Sequence, residues 1–367
     1  MVNAVESLVP ARSRLYSLQP YREGTAYVES ITSYTARLAQ IHGLTIRQLV
    51  EGEIWSLFGL SDHLIGNTNF AASICKDDAR ALCGTRRWAS QWVTALESLT
   101  QRTDLRFSTM LPWRNVLSPL DLVRRERAWC PACYQAWQEA NQTIYDPLLW
   151  SIKEVTFCAF HRQRLLSHCP NSRCQRVQPY LTNRIRSGYC SYCGVWLGTA
   201  LPTKRKHQRD HADVGAQEEK WQIWVVEAVG ELLAEAPKVL GSPQLDRIVY
   251  AMTVSVQQMA NGNLSKLARQ IGRHYSILGA LLAGKNAPTF STLLRICYAG
   301  NVKPLQFLTQ TPLRVNPKRL AIPAHPVFQT KRLQIAKHDD QRYGEALKQT
   351  LRERKPRPSQ APRSRQE

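Results

Sequence analysis

Apolar residues recur at helical spacing in separate stretches along the chain. In Glu29 to Gly43, Ile31, Tyr34, Leu38 and Ile41 mark one helix face, and Gly43 can supply a left-handed C-terminal cap. Thr45-Ile-Arg-Gln48 then carries the capping-box pattern that starts a second helix. Two short helices joined by a tight glycine turn make a helix-turn-helix-like unit, which is also the pattern of a helical hairpin with no nucleic-acid contact. Further helices are predicted over residues 70–83 and 86–100, with Trp88 and Trp92 on one face as core residues. Helical pattern resumes at Trp221, Trp224, Val225, Ala228 and Leu232, and again from Leu245 to Met259.

From residue 262 the apolar positions fall in three sets. Leu264, Leu267, Ala268 and Ile271 form the first, Leu278, Leu281 and Leu282 the second, and Phe290, Leu293, Leu294 and Cys297 the third, with Gly272 breaking the first from the second. This spacing is that of a repressor-type helix-turn-helix, whose second helix enters the major groove by its N-terminal residues. On that mapping Arg273, His274, Tyr275, Ser276 and Gly279 approach base edges, and Arg269, Lys285 and Asn286 sit near phosphates. Gly279 and Ala280 offer little to read, so the helix can equally supply backbone affinity, and a purely structural or protein-docking trio has the same pattern. Gly279 to Asn286 nearly matches a phosphate-binding loop. However, Asn286 stands where a magnesium-binding hydroxyl is needed and no strand precedes it, so nucleotide binding is rejected.

Between these helical regions the pattern is set by cysteine instead. Cys130-Pro-Ala-Cys133, Cys158-Ala-Phe-His161, Cys169-Pro-Asn-Ser-Arg-Cys174 and Cys190-Ser-Tyr-Cys193 are four close ligand pairs, which suffice for two closed tetrahedral Zn²⁺ sites. The simplest pairing takes them in chain order, Cys130, Cys133, Cys158 and His161 around one ion and Cys169, Cys174, Cys190 and Cys193 around the other. Spacing also permits an interleaved arrangement. His168 is a second candidate for the histidine, and its odd spacing favours His161. A Cys₂His₂ finger using Cys190, Cys193, His207 and His211 would strand Cys169 and Cys174, and it would put Pro202 and Lys204-Arg-Lys206 where a finger packs apolar residues. Closed thiolate-rich sites leave no position open for substrate, so the two ions are structural. Cys75, Cys83 and Cys297, scattered through apolar stretches, are expected in the core.

The resulting fold class is mainly α: an N-terminal helical, helix-turn-helix-like region, a central double zinc-binding module, and a C-terminal helical region with a repressor-like helix-turn-helix. The expected boundaries are 1–24, an extended arm; 25–128, the N-terminal helical domain; 129–198, the zinc module; 199–219, a polar linker; 220–311, the C-terminal helical domain; and 312–367, a basic, partly disordered tail. A chain of 367 residues suits two or three domains.

Composition adds the partner class. The formal charge of +21 and pI near 9.8 favour a polyanion, because Lys and Arg that neutralise phosphates release counterions. A membrane surface would also attract such charge, but no membrane partner is expected, since no apolar run approaches the roughly 18 to 20 residues a spanning helix needs and the N-terminus lacks a basic region followed by an apolar signal core. The expected location is therefore cytoplasmic and nucleoid-associated, a reducing setting in which paired cysteines read as metal ligands.

Several of these stretches together resemble the TniQ family: Glu29 to Gly43, Leu111-Pro-Trp113, Arg127 to Cys133, Tyr145-Asp-Pro-Leu-Leu-Trp150, Val155 to His161 and Gly188 to Gly194. The family includes the TnsD-type target selectors of Tn7-like transposons, and the resemblance spans residues 15 to 198. One departure is visible, since four residues separate Cys169 from Cys174 where the family usually has a tighter knuckle. The resemblance implies a bacterial protein that marks an insertion site and engages the transposon's AAA+ ATPase regulator. With the repressor-like helices and the charge, it gives the leading expectation, a selector that binds double-stranded target DNA sequence-specifically. The alternative is an adaptor that docks on a CRISPR effector complex and leaves reading to guide RNA. No ordered carboxylate set, nucleophile motif or open metal site appears, so an enzyme is not expected.

Overall fold

In the computed structural model, which describes residues 12–57, 79–183, 185–198, 216–239 and 241–317, the N-terminal half is packed around α1 (Ile31–Ile41). The Ser30 side chain caps it by accepting from the Ser33 amide, and every residue from Ile31 to Ala39 is buried. A helix so enclosed cannot present a free face to nucleic acid. Gly43 takes the left-handed conformation expected of it, with φ +65°. α2 (Ile46–Leu49) follows with the predicted capping box complete, Thr45 and Gln48 bonding each other's backbone reciprocally. Its Arg47 pairs with Glu51, just past the end of the helix, at 2.8 Å.

α3 (Arg87–Thr100) covers the predicted 86–100 helix and lays Trp92 against α1, where the indole Nε1 donates to Thr35 Oγ1 at 3.1 Å. Trp88, expected beside it in the core, is 37% exposed on the first turn. Of the helix predicted over 70–83, residues 70–78 lie outside the described residues, and Ala79–Cys83 is a 3-10 turn. Cys83 and Cys297 are fully buried, as expected; Cys75 lies outside the described residues.

Two elements frame the cysteine block. α4 (Pro131–Glu139), not foreseen by the apolar pattern, starts directly from Cys130 with Pro131 at its first position, where the missing N–H costs nothing. β1 (Phe157–Cys158) and β2 (Gln163–Arg164) make a small antiparallel hairpin, Phe157 opposite Arg164. α5 (Leu148–Ser151) lies between them.

The remaining helices are α6 (Ala216–Glu235), α7 (Leu245–Ala260), α8 (Leu264–Gln270), α9 (Tyr275–Leu282), α10 (Phe290–Ala299) and α11 (Pro304–Thr309). α6 begins inside the stretch read as linker, so residues 216–219 are helical. Glu218 and Glu219 in its first turn suit the positive end of the helix dipole, a signal that apolar periodicity does not register. The rest of that stretch, and most of the tail, lie outside the described residues.

One apolar core runs from Leu15 to Val315, so the C-terminal helices share it with the N-terminal ones. Ser118 N–H bonds the Pro288 carbonyl at 2.9 Å, and Thr156 donates to Gln222 of α6 at 2.8 Å. A second apolar cluster, built on Trp129, Tyr134 and Trp150, sits under the cysteines. The mainly helical architecture agrees with the sequence. Among the described residues no helix is long and apolar enough to cross a membrane.

Candidate metal centres and nucleic-acid interface

The eight ligand residues gather as two tetrads in chain order, Cys130, Cys133, Cys158 and His161 in one and Cys169, Cys174, Cys190 and Cys193 in the other. Local structure explains the first. Cys130 precedes α4 and Cys133 lies in its first turn, so both sulfurs face one side. Cys158 ends β1, and the turn to β2 swings His161 back over them. His161 Nδ1 lies 3.6 Å from Cys130 Sγ, 3.3 Å from Cys133 Sγ and 3.6 Å from Cys158 Sγ, with Cys133 and Cys158 also 3.6 Å apart. A Zn²⁺ ion with bonds of about 2.3 Å to sulfur and about 2.0 Å to nitrogen needs tetrahedral edges of about 3.8 and 3.5 Å. The tetrad fits that ion closely.

The second tetrad meets the same test, with Cys169 Sγ 3.6 Å from Cys193 Sγ and Cys174 Sγ 3.8 Å from Cys190 Sγ. The lengthened Cys169–Cys174 loop is organised by Asn171. Its carbonyl accepts from the Cys174 and Gln175 amides, its side chain accepts from Arg173 N at 3.0 Å, and its amide reaches Cys193 Sγ at 3.8 Å. The first tetrad has three buried cysteines; the second exposes Cys193 and half-exposes Cys174. His168 is exposed and bonded to Ser167, outside both tetrads. His207 and His211 lie outside the described residues.

Donors around the sulfurs favour thiolates. Gln163 Nε2 reaches Cys130 Sγ at 3.1 Å, and the buried Gln178 reaches Cys190 Sγ at 3.3 Å. Hydrogen bonds from Cys133 and Cys158, joined by that of Gln163, hold the Cys130 thiol far below its usual range, while the same sharing pushes Cys133 up. At Cys190 burial acts upward, yet the Cys193 and Tyr192 amides outweigh it and bring the thiol down to about 6. Thiols crowded until one must hold another's proton are a set that a dication would relieve. Arg127 is buried nearby, its guanidinium without a hydrogen-bond partner, 3.7 Å from Asp146 and beside Trp129. Asp146 is its nearest counter-charge.

Gly188 positions the last knuckle. It sits at φ +82°, and an added Cβ would fall 2.3 Å from the Trp196 ring. Gly188→Ala is expected to cost about 2 kcal/mol or more from backbone strain and overpacking together. A lowered melting temperature, with Gly194→Ala as a control that meets no neighbour within 4 Å, checks it; equal losses would show that packing against Trp196 is unimportant.

The helix-turn-helix residues separate into two groups. Arg269, His274, Tyr275, Ser276, Lys285 and Asn286 are exposed at the two ends of α9 and the end of α8. His274 caps α9, its Nδ1 accepting from the Ser276 amide, and Tyr275 is 55% exposed. Arg273 and Gly279 are placed otherwise. The Arg273 guanidinium donates to Thr292 Oγ1 at 3.2 Å and Ser291 Oγ at 2.7 Å, fastening the turn to α10. Gly279 faces Leu264 of α8, toward the core.

One further signal lies in the distribution of charge, which apolar spacing does not register. Residues 247–317 contain no Asp or Glu, and the acid-free run continues to His338. The exposed cations Lys266, Arg269, Lys285 and Arg314 lie in it. Residues 247–317 therefore carry eight Lys and Arg with no opposing carboxylate among them.

Residues 20–165 match the family model described as TniQ. No curated protein is significantly similar to the chain.

Proposed function

We propose that this chain, whose residues 20–165 match the TniQ family model, is a transposition-associated protein that selects the insertion target by binding duplex DNA itself and bringing the transposon's AAA+ ATPase regulator there. The observation that carries this reading is the acid-free stretch 247–317, in which a repressor-like turn leaves His274, Tyr275 and Ser276 exposed at the start of α9 with Arg269, Lys285 and Asn286 flanking them. Donors and an aromatic edge at a helix N-terminus suit base contact, and flanking cations suit phosphate. Two structural Zn²⁺ ions hold the centre, and the factor works without catalysis of its own.

Selection of bound duplexes from a genomic library, followed by gel shift, tests it. The expected result is one preferred sequence, bound at least about a thousandfold more tightly than random duplex. His274→Ala with Tyr275→Ala should erode that preference by about 1–3 kcal/mol for each base pair that the side chains no longer read. Binding without preference sinks the reading. Copurification with CRISPR effector subunits and weak affinity for naked duplex would replace it with the adaptor role.

A further inference from the structure

A second acid-free run lies in the cysteine-rich centre. From Val155 to Arg209 the chain has no Asp or Glu, while Arg162, Arg164, Arg173, Arg176 and Arg186 all lie within it. Arg162 faces Glu219 at 3.8 Å. Arg173, Arg176 and Arg186 ion-pair with no carboxylate among the described residues, and Arg186 lies over Tyr189.

Arg173 and Arg176 flank Cys174 on the lengthened knuckle, and both are exposed. Neither donates to a cysteine sulfur; Gln178 and Asn171 do that. The Arg176 guanidinium lies 4.9 Å from the ring centre of Tyr192, which is itself 48% exposed. An arginine supported on an aromatic face keeps its N–H edge outward. Asn171 and the tetrad fix the loop backbone, so presenting these cations costs little ordering.

We propose that this knuckle, with Tyr192 beside it, grips the phosphate backbone of duplex DNA through Arg173 and Arg176. The proposal rests on the reading of the chain as a DNA-binding protein and extends it to a surface outside the helix-turn-helix. Two exposed, unpaired guanidiniums on a rigid loop suit phosphate oxygens, and such contacts hold register without reading sequence.

The test uses full-length, zinc-loaded protein and a random-sequence duplex, with affinity measured across a salt series. Arg173→Gln with Arg176→Gln should lower the slope of log affinity against log salt by about 1.8, since each phosphate left without its arginine removes about 0.9. Binding should weaken about tenfold at low salt, the gap closing as salt rises. Arg173→Lys with Arg176→Lys should keep most of the slope, and all forms should keep two zinc ions. If the glutamine pair sheds metal, each single glutamine variant is used instead, with a slope change of about 0.9 expected. An unchanged slope overturns the knuckle contact while leaving the DNA-binding reading intact. A wild-type chain that binds no duplex removes both. Arginine-dependent binding to single-stranded RNA, stronger than to duplex, overturns the duplex assignment.

Discussion

Replacing Cys158 with serine is expected to lower the bound zinc from two ions per chain to one and to unfold the centre of the molecule. Cys158 is buried, it joins β1 to the first tetrad, and three partners converge with it on the same point. Binding of a structural zinc is worth about 10–16 kcal/mol in small modules, against total domain stabilities of about 5–15 kcal/mol. Losing one ligand of a closed site therefore removes more than any single apolar contact can. The consequence extends beyond the tetrad, because Trp129, Tyr134 and Trp150 pack around the same cysteines and Trp129 Nε1 is held by the Leu197 carbonyl at 3.1 Å. Metal content, melting temperature and the near-ultraviolet signal of these aromatics should fall together. A chelator should strip the second site first, because Cys193 is exposed there and Cys174 half-exposed. DNA binding should be lost once both ions are gone. A Cys158→Ser protein that keeps two ions and an unchanged melting temperature would rule out the metal assignment.

Much of this site is legible in the sequence, because ligand chemistry demands close pairs and the chain has four. Pairing order is not legible. It depends on the β1–β2 hairpin turning His161 back toward Cys130 and Cys133, a tertiary event that spacing alone leaves open. Caps are legible where they are local: Thr45 with Gln48, and Gly43. Arg273 shows the opposite case. Its partners Ser291 and Thr292 are eighteen and nineteen positions away, and only the packing of α10 beside the turn brings them within bonding distance. The same limit applies to α1. Its apolar spacing indicates one buried face, yet even its polar residues Thr32, Ser33, Thr35 and Arg37 are buried, because chain from both sides closes over it. The acid-free runs are visible throughout, but a net charge summed over the whole chain hides where the carboxylates are missing.

Replacing Arg37 with methionine should cost about 3–5 kcal/mol, because it leaves the Glu29 carboxylate buried without its counter-charge. Glu29 is fully enclosed. Its oxygens accept from Arg37 Nε at 2.8 Å and Nη2 at 2.6 Å, from Ser33 Oγ at 2.8 Å and from the Tyr21 amide at 3.2 Å. Arg37 also donates to the Gln19 carbonyl and lies over the Tyr21 ring, so the pair ties the segment before α1 to the helix itself. Burial pushes the Glu29 carboxyl upward, and the bonds from Arg37 are the chief opposing influence. Without Arg37 the carboxyl rises further. A group whose folded pKa is raised keeps its full contribution below the unfolded value, about 4.3 for glutamate, and loses it as pH rises through the folded value. The stability gap between wild type and Arg37→Met should therefore be widest at neutral pH and close toward pH 4. Both proteins carry the same metal sites, so acid loss of zinc cancels in the difference. Adding Glu29→Gln to Arg37→Met should recover part of the loss at pH 7, since no charge then remains buried. Urea unfolding of wild type, Glu29→Gln, Arg37→Met and the double variant at pH 7 and pH 4.5 measures the cycle. A gap independent of pH, with no recovery in the double variant, would mean that Arg37 acts through its packing on Tyr21 and not through the charge of Glu29.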